Sequence, residues 1–140
     1  MVVEDTTGSV PVASVTGVSL SGRITVNPRA AREIPPNSWA FILAHEIAHL
    51  TDERAQESPR RDIVTAEWNA DEIGAGYALR GGFDLAAHLG WIFSRPDQWS
   101  PRHGGQYDRA RRLATRYGVN WSAVRSCQER YRLSLARGAR

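Results

Sequence analysis

Sulfur-containing residues and long apolar runs are scarce in this chain of 140 residues. Its single cysteine, Cys127, excludes an internal disulfide and any metal site built from several thiolates. The longest apolar run, residues 39–44, is far too short to cross a bilayer, and residues 1–5 contain neither the basic nor the apolar segment of a secretory signal. We therefore expect no membrane span, and either a cytoplasmic protein or a domain cut from a longer precursor.

Lysine is absent, and all 18 basic residues are arginine. Ten of them lie in residues 102–140, where only two residues are acidic. An arginine-rich segment can bind nucleic acid, but arginines at this spread-out spacing are more typical of a solvated helical face, and the net charge of +3 is modest. Nucleic-acid binding is therefore not expected, although a non-catalytic binding module that uses Arg130, Arg132 and Arg137 stays an alternative hypothesis.

Apolar residues make up 41% of the chain and charged residues 24%, so residues 1–140 are interpreted as one globular domain. Alternating apolar residues predict a β-hairpin over residues 12–27. Apolar residues at helical spacing predict a helix over residues 38–53, with Asn37 or Ser38 as its N-cap. Further helices are predicted at residues 63–80, 85–93, 106–117 and 121–136, with polar loops at 51–62 and 94–101. The predicted fold class is α+β, a small N-terminal hairpin or sheet followed by about five helices.

The sequence at positions 45–49 is HEIAH, which carries two histidines four residues apart in the middle of a predicted helix. Residues four apart lie on one face of a helix, so His45 and His49 can bind a single metal ion together. Glu46 is then in reach of a water molecule on that metal and can act as its general base. The segment therefore predicts a catalytic zinc site on this helix.

A catalytic zinc site takes a third protein ligand, which must come from elsewhere in the chain. In metallopeptidases with a third histidine, that ligand lies six residues beyond the pair and follows a glycine, but here these two positions hold Ala55 and Asp52. The only methionine is Met1, so the methionine turn of the metzincin class is absent as well. The metzincin class is therefore excluded.

A carboxylate pair on the next predicted helix is the better source of the third ligand. Glu67 and Asp71 are four residues apart and share one face of that helix. A histidine bound to zinc donates its other ring N–H to an acceptor such as a carboxylate. We therefore expect Glu67 to bind the metal and Asp71 to orient His45 or His49. The rival acids, none with a comparable partner, are Asp52, Glu53, Glu57 and Glu72.

Four separated parts of the chain together resemble one class of metallopeptidase. They are GRITVN at residues 22–27, HEIAH at 45–49, EWNAD at 67–71 with ALRGGFD at 78–84, and His103 six residues before Arg109. This set is similar to the HtpX-like and CAAX prenyl protease-type metallopeptidases of the gluzincin class, and the compact length is similar to that of the minigluzincins. The resemblance covers about residues 15–117.

The resemblance implies a zincin-like fold and a role for each matching residue. It implies one zinc ion bound by His45, His49 and Glu67, Glu46 as general base and later proton donor, Asp71 beside a histidine ligand, His103 on the substrate or oxyanion, and Arg109 in the same wall of the cleft. Tyr107 is the alternative hydrogen-bond donor to the oxyanion. Two departures concern substrate handling: Gly104 and Gly105 follow His103 where the family has a proline, and the Asn-Ala pair expected at the substrate-binding edge strand is not evident in residues 14–20.

We therefore predict a zinc-dependent metallopeptidase, an enzyme that hydrolyses a peptide or protein substrate by a metal-activated water with Glu46 as general base. An alternative is a zinc-dependent amide hydrolase or maturation enzyme that acts on one specific small molecule or protein. Cys127 is expected as a small buried residue on the last helix, with a zinc-blocking thiol of a latent form as the alternative. A last helix that covers the cleft would also make a latent form. His88, on an apolar helix, is expected as a packed or half-exposed histidine rather than a ligand.

Overall fold

The computed structural model describes residues 2–5, 12–16 and 22–138. Within these residues the chain is broadly α+β, with six α-helices and two small sheets, in outline as the sequence predicts. None of the described helices is long and apolar enough to span a membrane. In chain order the elements are β1 (Val2–Glu4), β2 (Ala13–Thr16), β3 (Arg23–Val26), α1 (Pro28–Glu33), α2 (Pro36–Thr51), α3 (Ile63–Arg80), α4 (Leu85–Phe93), β4 (Trp99–Ser100), β5 (Gly104–Gly105), α5 (Gln106–Tyr117) and α6 (Trp121–Gly138).

Strand β3 is the centre of the N-terminal sheet, whose order is β1-β3-β2. β2 is antiparallel to β3, with Ala13 opposite Val26, which confirms the strand pairing of the predicted hairpin; the connection between the two strands lies outside the described residues. β1 runs parallel to β3, with Val2 opposite Ile24, and a strand of three residues is too short for its alternation to be recognised. Ile24 and Val26 are buried with Leu50, so one face of the sheet lies on α2.

Helix α1 begins where the sequence predicts only the end of the hairpin. Asn27 is its N-cap, and the Oδ1 atom accepts hydrogen bonds from the backbone N–H of Arg29 at 3.0 Å and of Ala30 at 3.3 Å. Pro28 occupies the start of the helix, where its missing N–H leaves no helical bond unmade. An Asn-Pro pair can end a strand or begin a helix, and Asn27-Pro28 does both.

Helix α2 begins at Pro36, two residues before the predicted start at 38. Pro35 holds the N-cap position without a side-chain cap, so the expectation that Asn37 or Ser38 caps this helix is wrong. The fixed φ of proline suits the first helical turn, and the two prolines set the start in place of a capping side chain. Asn37 instead accepts a hydrogen bond from the backbone N–H of Asp84 at 3.0 Å, which ties α2 to the start of α4.

Two segments predicted as loops contain short regular structure. The segment 51–62 includes a single turn of 3₁₀ helix, Glu53–Ala55, directly after α2 ends at Thr51. The segment 94–101 includes β4, which pairs antiparallel with β5 so that Trp99 lies opposite Gly105. Both pieces are too short for a periodic pattern, and both border the candidate site described below.

The last four helices follow their predicted positions, and only α6 differs, since it ends at Gly138 rather than 136. Asp62 and Asp84 cap α3 and α4 by accepting hydrogen bonds from the backbone N–H of Thr65 at 2.7 Å and of Ala87 at 3.3 Å. The main hydrophobic core lies among α2, α3, α4, α5 and α6. Its large buried members are Phe41, Leu85, Leu89, Ile92, Leu113 and Val124.

Helices α4 and α6 approach closely at Gly90, where a Cβ atom would lie 2.5 Å from the Cβ of Cys127. Cys127 is buried on the last helix, as expected, and its Sγ accepts a hydrogen bond from Nη2 of Arg130 at 3.0 Å. His88 is also buried, and its ring stacks on Phe41 at a centroid distance of 4.9 Å. Both residues therefore belong to the helix packing around α4.

Candidate metal centre

Three side chains predicted as metal ligands meet between α2 and α3. The Nε2 atoms of His45 and His49 are 3.1 Å apart. The carboxylate of Glu67 faces both histidines, with Oε2 3.2 Å from Nε2 of His45 and Oε1 3.2 Å from Nε2 of His49. Glu67 is buried and both histidines are half-buried. The group is placed so that it could hold one metal ion.

The spacing and chemistry of these atoms suit a metal ion, and the donor set is one that zinc accepts. Metal–ligand bonds of about 2.0–2.1 Å in a tetrahedral arrangement place the ligand atoms about 3.3 Å apart. The two Nε2 atoms are 3.1 Å apart, and each lies 3.2 Å from a different oxygen of the Glu67 carboxylate. Two imidazoles and one carboxylate also form a donor set of catalytic zinc, and three protein ligands leave a fourth position for water or substrate.

The close crossing of α2 and α3 brings the ligands together. A Cβ atom at Gly74 would lie 2.6 Å from the backbone nitrogen of His45 and 2.8 Å from the carbonyl carbon and oxygen of Ala44. Only glycine therefore allows the two backbones to approach this closely. Glu67 lies seven residues before Gly74, about two helical turns, and so shares the face of α3 that meets α2.

Asp71 links His45 to Arg109. Nδ1 of His45 donates to Oδ1 of Asp71 at 2.8 Å, and Arg109 donates from Nε to Oδ2 at 2.6 Å and from Nη2 to Oδ1 at 2.5 Å. Burial opposes the ionisation of Asp71, but the Arg109 guanidinium and the hydrogen bonds from Arg109 and His45 hold its pKa well below the ordinary value. A proton fixed on Nδ1 directs the Nε2 lone pair of His45 towards the other ligands. Asp71 was expected to orient His45 or His49, and the histidine that it contacts is His45.

Negative charge around His45 favours a cation at this point. Burial alone would lower the pKa of His45, yet its hydrogen bonds to Asp71 and Glu67 raise that pKa to about 10. Burial likewise opposes the charge of Glu67, but hydrogen bonds from His45 and His49 hold its pKa well below the ordinary value. A proton and a metal ion compete for the same Nε2 lone pair, and the same carboxylates stabilise either one.

The second histidine is oriented by the backbone. Nδ1 of His49 donates to the carbonyl oxygen of Ala55 at 2.6 Å, in the 3₁₀ turn after α2. This hydrogen bond leaves Nε2 of His49 free to bind a metal. The Gln56 amide donates to the His49 carbonyl at 3.1 Å and holds the same turn against the helix. Sequence reasoning missed Ala55, because every residue has a carbonyl and nothing in the sequence marks this one.

Glu46 lies beside His45 with its carboxylate uncommitted. Its side chain is half-buried and makes no hydrogen bond to the residues that the structure describes. Burial raises the pKa of Glu46, and the Glu67 carboxylate adds to that rise, while His45 and His49 oppose it. A carboxylate with a raised pKa and no fixed partner is suited to accept a proton and give it back.

His103 reaches the cluster from the turn between β4 and β5. Its Nδ1 donates to Oε2 of Glu67 at 3.0 Å, and its backbone N–H donates to Oγ of Ser100 at 3.0 Å. Burial lowers the pKa of His103, although about half of its side chain is exposed. Gly104 has a φ of 71°, a left-handed conformation that glycine adopts without strain. The turn therefore requires a glycine where the resembling family has a proline.

Tyr107 and Arg109 differ in their relation to the cluster. The Tyr107 hydroxyl donates to the backbone carbonyl of Arg95, and its ring packs on Phe93 at a centroid distance of 5.1 Å. No hydrogen bond or ring contact joins Tyr107 to the three ligand candidates among the described residues, and its hydroxyl is committed to Arg95. Arg109, by contrast, lies against the cluster, with Nη2 3.9 Å from Oε2 of Glu67.

The rival acids lie elsewhere. Asp52 pairs with Arg54 at 2.7 Å, and Glu72 pairs with Arg116 at 3.1 Å. Glu53 and Glu57 are exposed. Within the described part of the chain, the carboxylate that joins the histidine pair is Glu67.

Comparisons of the chain with known protein families, with curated proteins and with solved structures found no match. The arrangement of the site's residues supplies a group that could hold a metal ion, an uncommitted carboxylate beside it and a histidine at its exposed side.

Proposed function

We propose that this chain is a zinc-dependent metallopeptidase of the gluzincin type with a zincin-like fold. The observation that carries the proposal is the convergence of His45, His49 and Glu67, whose ligand atoms lie within 4.8 Å of one another, each histidine with a hydrogen-bond acceptor on Nδ1. Such acceptors are typical of histidines that bind zinc through Nε2. A cluster formed only for stability would not need both Nε2 atoms to face one carboxylate.

Glu46 carries the proton transfers in this proposal. A zinc ion held by these ligands would polarise a substrate carbonyl and lower the pKa of a water molecule towards neutrality. Glu46 accepts the proton of the attacking water, and it later returns that proton to the leaving amine nitrogen. Its raised pKa and lack of a fixed partner suit both steps.

His103 is assigned to the substrate. Its ring is half-exposed, so a substrate can approach it from solvent; because Nδ1 donates to Glu67, Nε2 accepts a hydrogen bond in the neutral ring and donates one to an oxyanion only in the imidazolium form. Tyr107 is not used, because its hydroxyl already donates to the Arg95 carbonyl. Asp71 and Arg109 act through His45 as positioning residues: Asp71 accepts one hydrogen bond from the His45 ring, and Arg109 donates two to Asp71.

The N-terminal sheet provides the surface for an extended substrate. Both β1 and β2 are edge strands of this sheet within the described residues, and the sheet lies against α2, the helix that carries the histidine pair. A peptide that adds to a sheet edge gains main-chain hydrogen bonds whatever its sequence. This mode suits a peptidase better than an enzyme for one small molecule.

The test separates metal binding from catalysis. The zinc-loaded chain is incubated with a mixture of random-sequence decapeptides, and products are identified by mass spectrometry. We expect cleavage by the parent chain, none by Glu46→Gln with its zinc retained, and unchanged cleavage by the control Glu53→Gln, an exposed acid after the same helix. Cleavage that persists in Glu46→Gln would contradict the proposal, as would a parent chain that cleaves nothing with zinc bound.

A further inference from the structure

A groove between α3 and α5 adjoins the Asp71–Arg109 pair. It has a volume of about 580 Å³ and shares these two residues with the metal centre. Sites for small ligands and side chains typically measure about 300–1,000 Å³. The groove can therefore hold an amino-acid side chain together with its adjoining backbone. The other residues that matter for its chemistry are Trp68, Glu72, Asp108, Arg111, Arg112 and Arg116.

The groove has one more positive than negative side chain. Three of its four arginines are paired with carboxylates: Arg109 with Asp71 at 2.5 Å, Arg111 with Asp108 at 2.9 Å and Arg116 with Glu72 at 3.1 Å. Arg112 has no carboxylate or hydrogen-bond partner among the described residues. The lining therefore leaves a single positive charge without a counter-ion.

Trp68 holds this arginine in place. The Cζ atom of Arg112 lies 3.8 Å from the centroid of the Trp68 ring, which is a cation–π contact at close range. An arginine stacked on an aromatic ring loses little further freedom when it binds, and its N–H groups form the fork that matches a carboxylate. Arg112 is exposed while Trp68 is half-buried, so the cation faces solvent on a fixed support.

We propose that the groove binds the acidic side chain of a peptide, with Arg112 receiving its carboxylate. This inference rests on the proposed function, because it makes the groove a specificity site for the peptide substrate. The one uncompensated cation matches a single carboxylate. The phosphates of a nucleic acid would be repelled by the three carboxylates of the lining. The groove lining includes the Asp71–Arg109 pair that supports His45, so a peptide residue bound there lies next to the candidate site.

The test is a binding measurement on the full chain carrying Glu46→Gln, which prevents turnover. Three N-acetylated decapeptides serve as probes: one with a central Glu and an amidated C-terminus, one with Gln in its place, and the Gln peptide with a free C-terminus. The reporter is the indole N–H NMR signal of Trp68, assigned by Trp68→Phe. We expect the Glu peptide to bind about tenfold more tightly than both Gln peptides.

Further substitutions in the Glu46→Gln chain test whether Arg112 causes the preference for the Glu peptide. Arg112→Gln is expected to remove the tenfold preference, Arg112→Lys to restore part of it, and the control Arg125→Gln, an exposed arginine on α6, to leave it unchanged. Equal affinity for the Glu and Gln peptides would overturn the proposal, and so would a preference that survives Arg112→Gln. Tighter binding of the free C-terminus, or displacement of the Glu peptide by a single-stranded decanucleotide, would overturn it as well.

Failure of this inference is distinguishable from failure of the proposed function. The binding signal does not depend on cleavage, so an acidic preference stands even for a chain that hydrolyses nothing. Conversely, a parent chain that cleaves Glu and Gln peptides at equal rates is a peptidase whose groove has no role in specificity.

Discussion

Two histidines, the half-buried His45 on α2 and the buried His88 on α4, have opposite surroundings. His45 lies between the carboxylates of Asp71 and Glu67, which raise its pKa to about 10 against the effect of burial. His88 lies between aromatic rings, and burial lowers its pKa to about 4. Its Nδ1 atom has no hydrogen-bond partner within the described residues. Burial of a histidine therefore does not indicate a metal site. A hydrogen-bond acceptor at Nδ1 together with a carboxylate at Nε2 does.

The surroundings of His45 and of His88 share one packing feature, a glycine at a close contact between two helices. α2 and α3 meet at Gly74 beside His45, and α4 and α6 meet at Gly90 against Cys127. Each glycine allows a backbone approach that a Cβ atom would block. The first contact encloses polar ligands and the second encloses apolar side chains, so the same geometry serves a candidate metal centre in one place and a core in the other.

The largest expected effect concerns the support of His45. Asp71→Asn keeps the shape of the side chain but removes the negative charge that holds the His45 ring and the Arg109 guanidinium. We expect zinc affinity to fall by about 10–100-fold, as is usual when the hydrogen-bond partner of a metal ligand is lost. Competition with a chelating dye measures it. Glu72→Gln, one residue further along α3, is the control, and equal affinities of the two variants would contradict the prediction.

The second prediction distinguishes the helix contact at Gly74 from the helix contact at Gly90. Gly74→Ala and Gly90→Ala each place a Cβ within 2.6 Å of other atoms, so each is expected to lower the free energy of unfolding by about 1–3 kcal/mol in urea titrations. Only Gly74→Ala is expected to weaken zinc binding, because only it shifts the His45 backbone. Gly76→Ala, whose nearest contact is the Tyr117 hydroxyl at 3.3 Å, serves as the control with stability within about 1 kcal/mol of the parent. Equal zinc affinity in all three variants would refute this account of the crossing.

The smallest effect is a difference in pH dependence at His88. In the folded chain the pKa of His88 is about 4, below the ordinary value of 6.5. Between pH 6.5 and about pH 4, His88 is therefore protonated in the unfolded chain but neutral in the folded chain. Stability is therefore full above pH 6.5 and falls as the pH decreases through this window. From pH 7.5 to 5.5 we expect the parent to lose about 1 kcal/mol more than His88→Phe.

Urea unfolding of both chains at the two pH values measures this difference. The charges of Asp71, Arg109 and His45 act on His88 from a distance, but they are present in both chains and cancel in the comparison. Identical pH dependence of the parent and His88→Phe would show that His88 is not held neutral by its aromatic surroundings.

The parts of the site that the sequence predicts are those encoded within single helices. His45 and His49 share a face of α2, and Glu67 and Asp71 share a face of α3, because residues four apart always do. The range of α3 follows from the polar segment before it and from the Gly81-Gly82 pair after it. Each of these features depends on neighbours in the sequence, so each can be recognised without a structure.

The parts that the sequence does not predict depend on contacts between distant segments. The Ala55 carbonyl that orients His49 and the Gly74 contact that sets the helix crossing have no local signature. Asn27-Pro28 and Pro35-Pro36 show a second reason, since such a pair is compatible with a strand end, a loop or a helix start. Which of these forms is chosen depends on what the rest of the chain packs against.

The central claim is that His45, His49 and Glu67 bind one metal ion, and equilibrium dialysis against zinc tests it most directly. Metal-free parent chain, His49→Ala and His88→Phe are dialysed in parallel, and bound zinc is measured by mass spectrometry. We expect one zinc per chain in the parent and in His88→Phe, and none in His49→Ala. A parent chain that stays metal-free in excess zinc, or a His49→Ala chain that retains one zinc, would contradict the claim.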